Sequence, residues 1–131
     1  MSHFTKVQTK IIDLVALKRA LDELGWKYTQ NEQGVTVRGY RGQTTKAEIC
    51  IDMGKYDIGV VKTEDGTYEL VADWWGVETT KGIKEEEVVK EINAKYAYQR
   101  VVAAVEEQGY TIDTNKVSAD GTIKLSVSKW E

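Results

Sequence analysis

Hydrophobic residues recur at two spacings along this chain, and each spacing predicts one kind of secondary structure. Between Asp13 and Gly25, leucines stand three or four residues apart, the spacing of one face of an α-helix. Aspartate is a favoured N-cap and glycine a favoured C-cap, so both ends of this helix are marked as well. The leucines are Leu14, Leu17, Leu21 and Leu24. The pattern therefore predicts an amphipathic helix whose leucine stripe is buried against the rest of the fold.

Most of the remaining chain alternates apolar and polar residues with the period of two that is typical of β-strands. Residues 3–12 form the first predicted strand, and residues 46–51 place Ala47, Ile49 and Ile51 on one face of another. Clusters of Asn, Asp and Gly predict the turns of three hairpins. These turns lie at residues 31–34, 63–66 and 119–121. The last strand, from Thr122 to Ser128, alternates so regularly that one of its faces is expected to be solvated.

Two adjacent tryptophans end the predicted strand that begins at Thr67. Successive side chains of a strand point to opposite faces, so Trp74 and Trp75 cannot both enter one core. We expect Trp74 to point inward with Tyr68 and Leu70, and Trp75 to lie on the other face with Val71. The second ring is then either covered by the segment 84–108 or exposed as an anchor for a partner.

The segment 84–108 has the spacing of a helix but two apolar faces. Val88, Val89, Ile92 and Tyr96 lie on one side, and Tyr98, Val101, Val102 and Val105 lie nearly opposite. We expect two helices, or one kinked helix, with the change of direction inside residues 93–98. Tyr96 and Tyr98 are the second candidate for a partner-binding surface, after Trp75 and Val71.

These elements predict a single α+β domain over residues 1–131, with a mainly antiparallel sheet and two to three helices packed on one face. The segments 17–40 and 101–128 both run from a helix through a glycine and an aromatic residue into a hairpin. This similarity leaves open a fold built from two helix-hairpin half-repeats.

Composition excludes several classes of protein. One cysteine, Cys50, and one histidine, His3, rule out an intramolecular disulfide and a Cys/His zinc cluster within one chain. No apolar run has the roughly 20 residues that a membrane-spanning helix needs. The sequence indicates neither a metal nor a cofactor. A catalytic serine or cysteine would have to use His3 as its base, and Cys50 on a strand is more typical of a small apolar filler.

Charge is spread unevenly along the chain. Residues 1–47 contain eight Lys/Arg and four Asp/Glu, whereas residues 48–131 contain ten and seventeen. The basic part includes the run VRGYRG, in which Arg38, Tyr40 and Arg41 could contact phosphate and stack on a base. A nucleic acid is therefore one possible partner, although a hairpin end with solvated arginines is the simpler interpretation.

Carboxylates on neighbouring strands offer a third possibility. Asp52, Asp57, Glu69 and Asp73 lie on strands that the hairpins bring together. Paired carboxylates can transfer protons or hold a metal ion, which makes an enzyme or a metal-binding protein an alternative function. Solvated strand faces also carry such residues, and no spacing in the sequence selects between the two interpretations.

Several segments together resemble a known family. MSHFTKVQTKI, YDIG, YELVADWW, INAKYAYQRV and EQGYTI are similar to the small conserved reading-frame family of cyanobacteria and algal plastids, a domain of unknown function also present in other bacteria. The resemblance covers nearly the whole chain and implies a cytoplasmic or plastid-stromal protein. It carries over no catalytic residue. The chain is short between Asp73 and Lys84 for this family, which puts any site on that connection in doubt.

We therefore expect a non-enzymatic protein-binding or adaptor module without a cofactor. Its partner is expected to be another protein, a homo-oligomer is possible, and no membrane is involved. Nucleic-acid binding through Arg38, Tyr40 and Arg41 is the first alternative, and chemistry on the sheet carboxylates is the second.

Overall fold

The computed structural model describes residues 3–129 and confirms an α+β fold with a mainly antiparallel sheet. The elements in chain order are β1 (Thr5–Gln8), α1 (Leu14–Leu24), β2 (Tyr28–Arg38), a 3₁₀ turn (Tyr40–Gly42), β3 (Thr44–Asp52), β4 (Asp57–Lys62), β5 (Tyr68–Ala72), α2 (Trp74–Lys81), α3 (Glu85–Glu107), β6 (Tyr110–Val117) and β7 (Ile123–Lys129). Five strands form one antiparallel sheet in the order β1-β5-β4-β3-β2, and β6 and β7 form a separate hairpin.

The main core lies between one face of the five-stranded sheet and the helices. Leu17 and Leu21 of α1 are fully buried there, together with side chains from β3, β4, β5, α2 and α3. The capping prediction for α1 is confirmed, because the Asp13 carboxylate accepts hydrogen bonds from the amides of Val15 and Ala16, and Gly25 takes the left-handed conformation at the other end. Burial of the leucine stripe thus fastens α1 to the sheet.

Part of the opposite face of the sheet is covered by the end of the chain's own β2. Although β3 separates β2 from β4 in the sheet, the end of β2 curls across this face, so that Val37 lies against Gly59 of β4. A Cβ on Gly59 would stand 2.8 Å from Val37 Cγ2, so only glycine leaves room for this contact. Phe4 packs in the same way against Gly39. The contact between Phe4 and Gly39 therefore places the connection between β2 and β3 close to the start of β1.

The predicted turn at residues 31–34 is wrong. The chain continues through it as one strand, and the pairing with β3 moves from Gln30–Ile49 to Val35–Ala47. Residues 31–34 thus face only one residue of β3 and form a large bulge, in which Gly34 has a φ of 95°. The predicted face of β3 is also wrong in part, because Ala47 packs with Val37 and Cys50 instead of joining Ile49 and Ile51. The first helix-hairpin half-repeat accordingly lacks its predicted turn.

The hairpins predicted at 63–66 and 119–121 are confirmed as the connections β4–β5 and β6–β7. Of the two alternatives predicted for residues 84–108, two separate helices are wrong, since α3 is one continuous helix of 23 residues. Its first apolar face is buried under α1, and β6 packs on its later part. The second apolar face is only partly covered, since Val101 is 38% exposed.

No helix in the described part of the chain combines the length and the apolar character needed to cross a membrane.

Candidate functional site

The two tryptophans lie at the start of a helix, which corrects the prediction of a strand through Trp75. Strand β5 ends at Ala72, and Asp73 caps α2 by accepting a hydrogen bond from the Gly76 amide at 3.1 Å. Trp74 is 8% exposed and packs in the main core, whereas Trp75 is 56% exposed. The predicted difference between the two rings is therefore confirmed. Its cause is the 100° turn per helical residue instead of strand alternation.

Gly76 explains why the aromatic run ends where it does. The ring of Tyr56 lies against the Gly76 backbone, and any Cβ at this position would overlap the ring. Three successive helical residues thus do different things: Trp74 enters the core, Trp75 faces outward, and Gly76 receives Tyr56. The Asp73 cap was the signal in the sequence that could have identified this helix.

Trp75 does not lie with Val71, as the sequence predicted, but beside the connection between β2 and β3. The Tyr40 ring meets the Trp75 ring edge-on, with 6.4 Å between their centroids and an angle of 88° between their planes. The Arg41 guanidinium lies over the Tyr40 ring, 5.1 Å from the centroid of that ring. We call Tyr40, Arg41 and Trp75 the Trp75 surface. It joins residues of two predictions, the protein interface and the nucleic-acid site.

Arg38 is not part of this surface. Its guanidinium donates two hydrogen bonds to the Asp57 carboxylate, at 2.9 and 2.8 Å, and one each to Asp52 at 3.2 Å and to the Gly54 carbonyl at 2.6 Å. The Arg38 backbone amide donates a further bond to Asp57 at 2.8 Å. Asp57 is buried, so this pairing compensates for the cost of removing its charge from water. The main role of Arg38 in this geometry is to hold the curled end of β2.

The Arg38 pair lies in a groove of about 850 Å³ that also contains Cys50, Trp26 and Tyr28. Burial raises the pKa of the Cys50 thiol, and the neighbouring Asp57 carboxylate raises it further, to about 12. The thiol is therefore protonated at neutral pH, which is unfavourable for a nucleophile. Burial also raises the pKa of Asp57, but the hydrogen bonds and charge of Arg38 outweigh this effect and leave the pKa below its usual value.

The four predicted carboxylates are not brought together. Asp52 and Asp57 share Arg38, Asp73 caps α2, and Glu69 lies on β5 opposite Gln8 and Val61. Among residues 3–129 no group of three or more His, Cys, Asp or Glu side chains is placed to hold a metal ion. The other residues predicted for an interface, Val71, Tyr96 and Tyr98, are buried or half-buried.

Val71 is buried within the sheet, and the hydroxyl of the buried Tyr96 accepts hydrogen bonds from the amides of Ile12 and Asp13 and from Arg100. Tyr98 is half-buried on α3. Neither Tyr96 nor Tyr98 forms an aromatic pair with Tyr40 or Trp75 within residues 3–129.

Comparison with known proteins identifies relatives over nearly the whole chain. Residues 20–126 match the family described as "Protein of unknown function (DUF1257)". The chain is 33% identical to "Uncharacterized protein ycf35" of Guillardia theta and to that of Cyanophora paradoxa, and 34% identical to that of Pyropia yezoensis. Each alignment covers 99% of this chain and 98% of the relative. No solved structure matches the chain. These relatives come from algal plastids and confirm the resemblance drawn from the sequence segments.

Proposed function

The chain belongs to the DUF1257 family, whose description assigns no activity, and we propose from the geometry that it is a protein-binding module. The proposed contact is the Trp75 surface, formed by Tyr40, Arg41 and Trp75. The observation that carries the proposal is the exposure of more than half of the Trp75 side chain beside an edge-on tyrosine. We place its action in the cytoplasm or, as for the algal relatives, in the plastid.

The residue types and the restricted motion of the two rings both support this surface as a contact site. Tryptophan, tyrosine and arginine are the residues most enriched among those that dominate binding energy at protein interfaces. The contact between Tyr40 and Trp75 limits the motion of both rings before a partner arrives. Binding then loses less side-chain entropy than it would with freely rotating side chains.

Charge supports a protein partner over a nucleic acid. Arg38 is neutralised by Asp57 and Asp52, whereas the ion pairs formed within residues 3–129 do not include Arg41. Nucleic-acid binding normally rests on several phosphate contacts, and Arg41, the single arginine of the Trp75 surface on a chain with a net charge of -3, supplies few of them.

A second candidate function, single-strand nucleic-acid binding, is favoured by one observation: the Arg41 guanidinium stacks on Tyr40 next to an exposed ring. A titration with mixed single-stranded RNA at low salt distinguishes the two proposals. The first predicts no saturable binding. Binding that is lost in an Arg41→Ala, Tyr40→Ala double variant, and that weakens as salt rises, would favour the second.

We do not propose a reaction for this protein. Asp52 and Asp57 are paired with Arg38, Asp73 caps a helix, Glu69 lies apart from them on β5, and the Cys50 thiol is held protonated. The function proposed here is therefore recognition.

The experiment that tests the proposal is affinity capture from the native cell extract with identification of the bound proteins. Wild-type chain, Trp75→Ala and the control Val15→Ala are compared, because the Trp75 and Val15 side chains have the same exposure of 56% on different helices. A partner retained by wild type and Val15→Ala but weakened by about 30-fold in Trp75→Ala, equivalent to about 2 kcal/mol, would support the surface. Equal capture by all three proteins would refute it.

A further inference from the structure

The C-terminal hairpin is a sheet with too few strands. Strands β6 and β7 pair only with each other among the described strands, and α3 packs against β6. A two-stranded sheet is marginally stable in water, and further strands or a covering helix normally complete it. The hairpin therefore has two edges at which another strand could pair.

One face of this hairpin is apolar and only partly covered. The pairing shifts between Ile112 and Thr114, and this bulge places the apolar residues of β6 on the same face as those of β7. The apolar residues on this face are Ile112, Val117, Ile123, Leu125 and Val127, and the register also places Tyr110, Asn115 and Lys129 on it. Val117 and Val127 are still 52% and 39% exposed, so α3 leaves much of the face in water.

The two edges of the hairpin differ. Strand β6 is interrupted at the bulge, where the Asp113 carboxylate accepts a hydrogen bond from the Ser128 hydroxyl. Bulges distort an edge and are one way in which proteins protect edges from further pairing. Strand β7 is regular over all seven residues from Ile123 to Lys129. The outer edge of β7 is therefore the better one for an additional strand.

The backbone of β7 is set for such pairing. The Ser118 amide bonds to the Thr122 carbonyl, which makes this pair a hydrogen-bonded one. Hydrogen-bonded and non-hydrogen-bonded pairs alternate along an antiparallel ladder, so the backbone groups of Ile123, Leu125 and Val127 point away from β6. These amides and carbonyls form an open ladder on the outer edge.

We propose that β7 pairs with β7 of a second copy of this chain, antiparallel and about a two-fold axis at Ser126, the middle residue of the strand. This register matches the full length of both strands and places Leu125 opposite Val127 of the second copy. Lys124 then faces Ser128 of the second copy, so no like charges stand opposite each other. The result is a four-stranded sheet in which the mainly apolar faces of the two hairpins lie on the same side and adjoin.

Self-complementarity is what selects a second copy as the occupant. A two-fold axis at Ser126 makes each pair occur twice, so the match of Leu125 with Val127 and of Lys124 with Ser128 is doubled, and Lys129 is the one charged residue that meets an apolar one, Ile123. The paired edges and the flanking valines bury less surface than a standard interface of about 1,600 Å², so the dimer is expected to be reversible.

Cysteine cross-linking tests the register. In a Cys50→Ser background, Ser126→Cys places two thiols in a non-hydrogen-bonded pair with Cα atoms about 4.5 Å apart, within the range of a disulfide. Ser128→Cys on the same strand is the matched control, because its symmetry mate lies four residues away, or about 13 Å. We expect disulfide-linked dimers from Ser126→Cys at least tenfold faster than from Ser128→Cys. A mixture of Ser128→Cys and Lys124→Cys chains should also cross-link.

Charge at the axis tests the association without a cross-link. Ser126→Asp and Ser126→Lys each place like charges opposite each other and should shift sedimentation from dimer to monomer, while Ser126→Thr should not. Mixing the Asp and Lys variants should restore the dimer. The unfolding midpoint of each Ser126 variant, compared with that of the wild type, shows whether the monomer is still folded. A wild-type chain that stays monomeric at high concentration, or equal cross-linking of Ser126→Cys and Ser128→Cys, would overturn the proposal.

Discussion

The two sheets of this protein have the same alternating sequence pattern and very different surroundings. In the five-stranded sheet, Ile49, Ile51 and Leu70 are fully buried between helices and the neighbouring strands. In the hairpin of β6 and β7, Ile123 and Leu125 are half-buried and Val127 is exposed. Tyr96 is the last buried residue in the described part of the chain. Alternation therefore specifies a strand with an apolar face, but it does not specify what covers that face.

We propose that stability and self-association are properties of different regions. The body formed by the five-stranded sheet and its helices has a complete core. The hairpin has an apolar face without a complete cover, which is the condition under which a second chain gains most by binding. The predictions below test this division, beginning with the largest expected effect.

Core leucines of α1 should be the most sensitive positions. Leu17→Ala or Leu21→Ala removes a fully buried side chain and should lower the free energy of unfolding by about 2 to 5 kcal/mol, measured by urea denaturation. Val15→Ala, exposed on the same helix, is the control. Losses below about 1 kcal/mol at both leucines would mean that α1 does not cover the core.

The next largest loss of stability should come from breaking the Arg38–Asp57 pair. Arg38→Ala leaves a buried carboxylate without its cation and should cost about 1 to 3 kcal/mol at neutral pH. Lys124→Ala, an exposed lysine of the hairpin, is the control and should change little.

The effect of Arg38→Ala should also depend on pH in a defined direction. With Arg38 present, the folded pKa of Asp57 lies below the unfolded value of about 4, so its contribution is complete above pH 4 and is lost at lower pH. Without Arg38, burial raises this pKa, and protonation then favours the folded variant. The difference between wild type and variant should therefore begin to shrink above pH 4, as the pH falls through the raised pKa of the variant, and should shrink further below pH 4. A constant difference across pH would contradict the role given to Asp57.

Packing at the start of α2 should produce an intermediate effect. Alanine normally favours a helix over glycine by about 1 kcal/mol, but a Cβ at position 76 overlaps the Tyr56 ring. Gly76→Ala should therefore destabilise the protein, by about 1 to 2 kcal/mol in thermal unfolding. Glu78→Ala on the same helix is the control. Stabilisation by Gly76→Ala would show that Tyr56 moves without cost.

The smallest effect should come from the hairpin. Leu125→Ala removes a half-buried side chain and should cost less than about 1 kcal/mol at low protein concentration. Unfolding followed by circular dichroism measures this loss. A loss as large as that of Leu17→Ala would erase the contrast between the two regions.

Part of the candidate site was predictable and part was not. The exposed Trp75 and the arginine-tyrosine run 38–41 were both identified from residue type, because each is uncommon on a solvated strand. Their contact was not predictable, since it depends on how far β2 curls across the sheet. Arg38 was expected to be free for phosphate, and only the position of Asp57 shows that it is paired.

The sequence by itself determined the elements whose signals are local: the capped helix α1, the turns at 63–66 and 119–121, and the α+β class. Each depends on side chains that act within a few residues of their own backbone, as Asp13 does on the amides of Val15 and Ala16. The tertiary structure decided how far each element extends and what it packs against. It converted the turn at 31–34 into a bulge, because pairing with β3 continues on both sides of it. It kept α3 continuous, with its first apolar face buried under α1 and its later part in contact with β6. Contacts between residues far apart in sequence made these choices, and no local spacing encodes them.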